Sequence, residues 1–261
     1  MPTFASFDGL RLNYTVWEGD GAHRPVLLQH GFAADTNANW ISTGVVAALR
    51  SAGFTVISLD ARGHGRSEKP HDESRYTEDA MARDVSALLD ELVLDEVSMV
   101  GYSMGAIIAL TVTAKDKRIR CLATGGVGSG IVDFGGVDLR VVKPADIASA
   151  LLAEDPASVP PSGVPFRLLA DAVGGDRRAL AAVASASASS SREGHLDLSA
   201  IGVPTLVLAG EQDQLAAEPE RLAAAIAGAR LVRIPGDHMT AVMSPAFAEA
   251  LVSFLSAPHP R

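Results

Sequence analysis

Gly101-Tyr102-Ser103-Met104-Gly105 follows the apolar run Val97–Val100 and leads straight into Ala106–Leu110, which reads as helix. A strand, Gly-x-Ser-x-Gly and a helix in that order form the sequence signature of a nucleophile elbow. Its physics explains its composition. A turn this tight holds the serine in a strained backbone conformation, and the residues two before and two after it must lack bulk so that strand and helix can approach. The Ser103 hydroxyl is then presented above the end of a strand. The N–H of Met104, at the N-terminus of the following helix, points into the same space, where the helix dipole favours negative charge.

A serine hydroxyl is a weak nucleophile, so this reading needs a base and a group to orient it. Downstream, Pro204–Gly210 is an apolar strand that breaks into Glu211-Gln212-Asp213. An Ala/Leu-rich helical stretch follows from Pro219 to Ala227, then a short strand, Ala229–Ile234, and then Pro235-Gly236-Asp237-His238. Asp213 and His238 thus each follow a strand. In a parallel sheet both emerge on the same edge as Ser103, in the chain order Ser, Asp, His. Glu211 is the alternative acid. Asp237, adjacent to His238 in sequence, should face away from it.

With these residues in place the chain resembles the α/β-hydrolase fold superfamily, and the resemblance covers nearly its whole length. Gln29-His30-Gly31-Phe32 ends the strand Val26–Leu28 and is similar to the family's His-Gly oxyanion loop, which implies the Phe32 N–H as an oxyanion donor beside that of Met104. Asp60-Ala61-Arg62-Gly63-His64-Gly65-Arg66-Ser67 follows the strand Phe54–Leu59 and resembles the family's Asp-x-Arg-Gly-x-Gly-x-Ser turn, a structural element. The resemblance implies a mostly parallel eight-stranded sheet with helices on both faces and a small helical cap. It also implies a catalytic triad of Ser103, Asp213 and His238, and acyl-transfer chemistry on a small-molecule ester.

Composition agrees. At 261 residues the chain suits one large α/β domain, and 48% hydrophobic residues suit a sheet buried on both faces. The net charge of −9, with no Lys/Arg cluster, argues against a nucleic-acid partner. Cys121 is the single cysteine and opens an apolar run, so it reads as a small buried hydrophobe. Met1–Asp8 has neither a basic region nor a long apolar stretch. The expectation is therefore a cytoplasmic enzyme without signal peptide or membrane span. No metal-binding, ATP-binding or dinucleotide motif is present, so no cofactor is expected.

Thr3–Phe7 and Leu10–Trp17 read as a hairpin around Asp8-Gly9, Trp40–Ser51 as a helix, and Tyr76–Leu92 as an amphipathic helix capped by Thr77. The sequence divides into a core, 1–128 and 197–261, and an inserted cap, 129–196. The insertion is approached through Gly125–Gly130, which reads as a mobile glycine-rich loop. Its helix candidates are Pro144–Ala153, Val164–Val173 and Asp176–Ser189, the last running into Ala-Ser repeats, with Pro156, Pro160, Pro161 and Pro165 marking turns. Val164, Phe166, Leu168 and Leu169 form an apolar face suited to an acyl pocket. Tyr102, Trp40, Met239 and His30 are further pocket candidates, although His30 suits orienting the oxyanion loop better than proton transfer. His64 lies in a structural turn, and His23, His71, His195 and His259 lie in polar or terminal stretches.

Within the superfamily the resemblance narrows the chemistry. Haloalkane dehalogenases and epoxide hydrolases carry aspartate where Ser103 stands, and Tyr14, Tyr76 and Tyr102 leave no tyrosine in the cap. Proline iminopeptidases usually have Trp at the position of Met104. A menaquinone-pathway lyase and many carbon–carbon bond hydrolases usually have glycine at the position of Ala106. What remains implied is a serine carboxylesterase, with lactonase, cofactor-free perhydrolase (haloperoxidase-like) or carbon–carbon hydrolase chemistry as variants, or a ligand-binding receptor of the same fold.

Overall fold

The computed structural model describes residues 2–155, 158–190 and 196–258. Strands β1 (Thr3–Ala5) and β2 (Arg11–Trp17) form the expected antiparallel hairpin, with Gly9 at φ +84° in its turn. Then come β3 (Val26–Gln29), β4 (Val56–Leu59), β5 (Val97–Tyr102), β6 (Ile119–Gly125), β7 (Thr205–Gly210) and β8 (Arg230–Ile234). Among the described residues they make one eight-stranded sheet in the order β1-β2-β4-β3-β5-β6-β7-β8. It is parallel from β4 to β8, with β2 antiparallel to β4. Every residue of β3, β4, β5 and β7 is buried, as a sheet covered on both faces requires.

Alternation along the strands sends side chains to two cores. Leu27, Met99, Leu122 and Val207 pack with Val85, Leu88, Ile108 and Leu222 of α2 (Glu78–Glu91), α3 (Met104–Lys115) and α8 (Pro219–Ala225). Leu28, Val100, Ala123 and Leu206 pack with Val45, Leu49, Phe247 and Leu251 of α1 (Val45–Ser51) and α9 (Pro245–Ser256). As the sequence suggests, Thr77 caps α2, its hydroxyl accepting the Ala80 N–H at 3.0 Å.

Between β6 and β7 the chain forms α4 (Ser129–Phe134), α5 (Pro144–Leu152), α6 (Val164–Ala172) and α7 (Arg177–Ser190). Ile147, Leu151, Ala170 and Leu180 from these helices build a third apolar cluster that closes over Ala33 and Phe32 of the loop after β3.

Two expectations are corrected. The Trp40–Ser51 helix is broken. Asn37–Ile41 forms a π-helical turn, Gly44 reverses the chain at φ +83°, and only Val45–Ser51 is α-helical. The glycine-rich stretch after β6 is crowded rather than loose, and α4 begins within it. A Cβ on Gly128 would lie 2.2 Å from the Ala217 carbonyl oxygen, and one on Gly126 about 3 Å from the Tyr102 and His238 rings. Glycine is needed there for close approach. Cys121 is fully buried, and desolvation pushes its thiol up to about 12.

Candidate active site

Ser103 joins β5 to α3 at φ +54°, a conformation few non-glycine residues adopt. The flanking glycines answer to sterics: a Cβ on Gly101 would sit 2.1 Å from the Gly105 carbonyl oxygen, and one on Gly105 2.0 Å from that of Gln29. The turn is pinned by the Ser103 N–H, which donates to the Gly125 carbonyl at 2.8 Å, so the elbow is braced by β6.

Asp213 follows β7 and His238 follows β8, and the sheet brings both to Ser103. The Ser103 Oγ is 3.0 Å from His238 Nε2, and His238 Nδ1 is 2.9 and 3.0 Å from the two Asp213 carboxylate oxygens. A carboxylate only accepts, so Nδ1 carries the proton and Nε2 is left to accept from the serine hydroxyl. The Asp213 side chain is itself buried and held by the N–H groups of Leu215 and Ala216 at 2.9 and 3.1 Å. Asp237 turns away, as expected, accepting from the N–H groups of Met239 and Thr240. Glu211 forms no hydrogen bond or ion pair with His238.

The loop after β3 passes the same point. A Cβ on Gly31 would stand 3.4 Å from the Ser103 Cβ, so loop and elbow are in contact. His30 is fully buried: its Nε2 accepts the Ala61 N–H at 3.0 Å and its Nδ1 donates to the Gly31 carbonyl at 2.8 Å. Ala33 adopts φ +60° one residue after Phe32. Asp60 ties this loop to the turn after β4, accepting from the Thr36 N–H and hydroxyl, the Asn13 amide and the Arg66 N–H. Burial alone would raise its pKa, but these hydrogen bonds prevail and lower it. Neither the Phe32 nor the Met104 N–H has an acceptor among the described residues.

Two cavities meet at Ser103 and Phe32. One, about 80 Å³, runs inward between Met104, Ile107, Ile147 and Ala184 and is mostly apolar, with Ser187 on its wall. The other, about 240 Å³, lies on the His238 side against Tyr102, Leu169, Met239 and Met243. Phe166 borders both and packs edge-on against Phe32, ring centroids 5.9 Å apart. Of the candidate pocket residues, Phe166, Leu169, Tyr102 and Met239 therefore stand on cavity walls. Trp40 and His30 do not. Trp40 is driven completely into the core by its size, and His30 stands behind the loop it braces. Val164 and Leu168 also depart from expectation, facing solvent from α6. His71 is exposed yet bonds Asp176 at 2.9 Å, and His23 stacks on Phe54. His195, His259 and Pro156 lie outside the described residues.

Sequence reasoning missed Asn39, buried on the wall of the His238-side cavity, and the ion pair of the fully buried Arg62 with Asp84 at 2.6 Å, which anchors the turn after β4. Among the described residues no group of three or more His, Cys, Asp or Glu side chains is placed to hold a metal, and no helix is long and apolar enough to cross a membrane.

Residues 24–131 match the alpha/beta hydrolase fold family. A solved hydrolase from Pseudomonas aeruginosa PA01 is 30% identical, with a TM-score of 0.75 over 98% of each chain. The enol-lactonase from Burkholderia xenovorans LB400 is 27% identical, with a TM-score of 0.72 over 98% of this chain and 100% of that one. Among curated relatives, the sn-1-specific diacylglycerol lipase ABHD11 of Xenopus tropicalis is 35% identical over 109 residues. That match spans 41% of this chain and only 32% of the lipase. Elbow, sheet order and relatives agree: this chain belongs to the α/β-hydrolase family.

Proposed function

We propose that the protein is a serine carboxylesterase that cleaves a small-to-medium ester through an acyl-enzyme, with residues 129–196 forming a cap over a core of 1–128 and 197–261. The observation that carries this reading is the continuous relay from the Ser103 hydroxyl through His238 to Asp213, with contacts of 3.0 and 2.9 Å, at the junction of two apolar cavities. His238 Nε2 takes the serine proton as Oγ attacks the ester carbonyl. Asp213 holds the imidazole in the required tautomer and stabilises its positive charge. The N–H groups of Phe32 and Met104 receive the oxyanion. The intermediate collapses, the C–O bond to the leaving group breaks, and His238 returns the proton to that oxygen. Water, deprotonated by His238, then attacks the acyl-enzyme and frees the acid and Ser103.

The inward cavity supports an acyl pocket. Its volume is about 80 Å³, and the side chains around it are mostly apolar. Hydrolysis of p-nitrophenyl esters from acetate to decanoate, wild type beside Ser103→Ala, tests the reading. Turnover that vanishes in the variant and peaks at short to medium chains is expected, and equal turnover by both proteins would overturn it. The likeness to an enol-lactonase supports a second reading, lactone hydrolysis by the same residues, in which the released alcohol stays attached to the acid. Inactivity on every linear ester with turnover of lactones would favour it.

A further inference from the structure

Asn39 is a polar side chain only 5% exposed, on the wall of the His238-side cavity. It sits in the π-helical turn Asn37–Ile41, where its N–H donates to the Asp35 carbonyl at 3.0 Å and its carbonyl accepts from the Thr43 hydroxyl at 2.9 Å. Trp40, sunk in the core beside it, fixes the turn further. The Asn39 side chain is thereby aimed at Gly31, whose N–H donates to Oδ1 at 2.8 Å. A π-turn in a short helix is itself a feature found disproportionately at functional sites.

Gly31 has no side chain to limit its backbone, so something else must hold it. On one side, His30 Nδ1 donates to its carbonyl. That carbonyl shares a peptide plane with the Phe32 N–H and points opposite to it, so the His30 bond sets where the Phe32 N–H aims. Asn39 clamps the preceding plane. With both planes fixed, Gly31 cannot rotate between them. We propose that Asn39 is a positioning residue that holds the oxyanion loop against the elbow through the Gly31 N–H, a role that rests on the esterase reading of Ser103, His238 and Asp213.

A second observation points the same way. With Oδ1 committed to Gly31, the Asn39 Nδ2 is buried without a partner. An unpaired buried donor costs stability, and a position serving packing alone is better filled by an apolar side chain of similar size. An amide is retained here for what its oxygen does. The nearby loop contacts are equally close, since a Gly31 Cβ would stand 3.3 Å from the Tyr102 carbonyl oxygen and 3.4 Å from Asn39 Oδ1.

The test compares wild type, Asn39→Ala and Ser103→Ala on p-nitrophenyl butyrate, with inhibition by butylboronic acid as a second readout. The boronate forms a tetrahedral adduct on the Ser103 oxygen that carries the negative charge of an oxyanion. Direct loss of one oxyanion donor lowers kcat by roughly 10²–10³-fold, so loss of its support should lower it by roughly 10–100-fold. KM should stay within about twofold, and boronate affinity should fall by the same factor as kcat, which a general loss of packing would not reproduce. Asn39→Gln, whose amide is displaced by one methylene, carries the same expectation should Asn39→Ala fail to fold. Unchanged kcat in the folded variant, or a raised KM at constant kcat, would overturn the proposal. If Ser103→Ala abolishes turnover while the Asn39 variant matches wild type, the clamp alone fails; if Ser103→Ala is active, the esterase reading fails with it.

Discussion

The phenol of Tyr102 donates a 2.8 Å hydrogen bond to the backbone carbonyl of His238, so the residue immediately before Ser103 also holds the loop that carries the imidazole. The two rings are tilted against each other with centroids 5.6 Å apart. Burial, reinforced by Asp213 and Asp237, raises the Tyr102 pKa, so the phenol keeps its proton and remains a donor at neutral pH. Tyr102→Phe removes this one bond and keeps the ring. A net hydrogen bond is worth about 1 kcal/mol, so kcat on a p-nitrophenyl ester should fall roughly fivefold with little change in KM. Steady-state kinetics check this. Unchanged kcat would mean that the Asp237–Thr240 bonds hold the loop unaided.

Asp213 and Glu211 stand two residues apart after β7, but only Asp213 reaches His238. Asp213→Asn replaces an acceptor-only carboxylate with an amide that can present a donor to Nδ1 and favour the wrong tautomer. The expected loss in kcat is roughly 10⁴-fold. Glu211→Gln should stay within about twofold of wild type. Side-by-side turnover of the two variants decides the assignment, and the opposite ranking would move the acid to Glu211.

These residues were legible in the sequence because each follows a strand, and a parallel sheet delivers all strand ends to one edge. Asn39 was not. It lies eight residues beyond Gly31 in a stretch that reads as the start of a helix, and its meaning depends on a π-turn and on Trp40 choosing the core over the pocket. The α6 helix shows a related limit. Its apolar residues mark an amphipathic face, yet the chain turns Phe166 and Leu169 inward and leaves Val164 and Leu168 in solvent. Periodicity gives a helix its stripe but not the neighbours that will cover it. Likewise a run of glycines looks the same whether a loop needs freedom or, as at Gly128 against Ala217, needs room.

Ala184, on α7, is 4% exposed and lines the inward cavity opposite Met104 and Ile107. Ala184→Leu adds three heavy atoms to the wall of a cavity of only about 80 Å³. Longer acyl chains should lose their place first. The ratio of kcat/KM for octanoate to that for acetate should fall at least tenfold, while acetate turnover stays within a few-fold of wild type. A chain-length series on the variant reads this directly. An unchanged ratio would place the acyl chain in the His238-side cavity instead.

His64 supplies a pH dependence separate from the chemistry. Its ring is 2% exposed and packs edge-on against Phe32 and beside His30; Nδ1 donates to the Arg62 carbonyl at 3.0 Å, and Nε2 is buried without a partner. Desolvation lowers its pKa from 6.5 to about 3. Folding therefore holds the ring neutral where the unfolded chain would protonate it. Above pH 6.5 both states are neutral and the contribution is complete. As pH falls below that value the unfolded state binds one more proton than the native state, and stability drops by about 1.4 kcal/mol per pH unit. The loss ends near pH 3, where the native ring also protonates. In His64→Asn the side-chain amide can replace the Nδ1 donor but cannot titrate. Urea unfolding of both proteins at pH 7, 6, 5 and 4 should give a shallower acid decline for the variant, with the difference growing at each step below pH 6. Parallel declines would show that the native ring titrates near its ordinary value of 6.5 and that the pocket around Phe32 is wetter than its packing indicates.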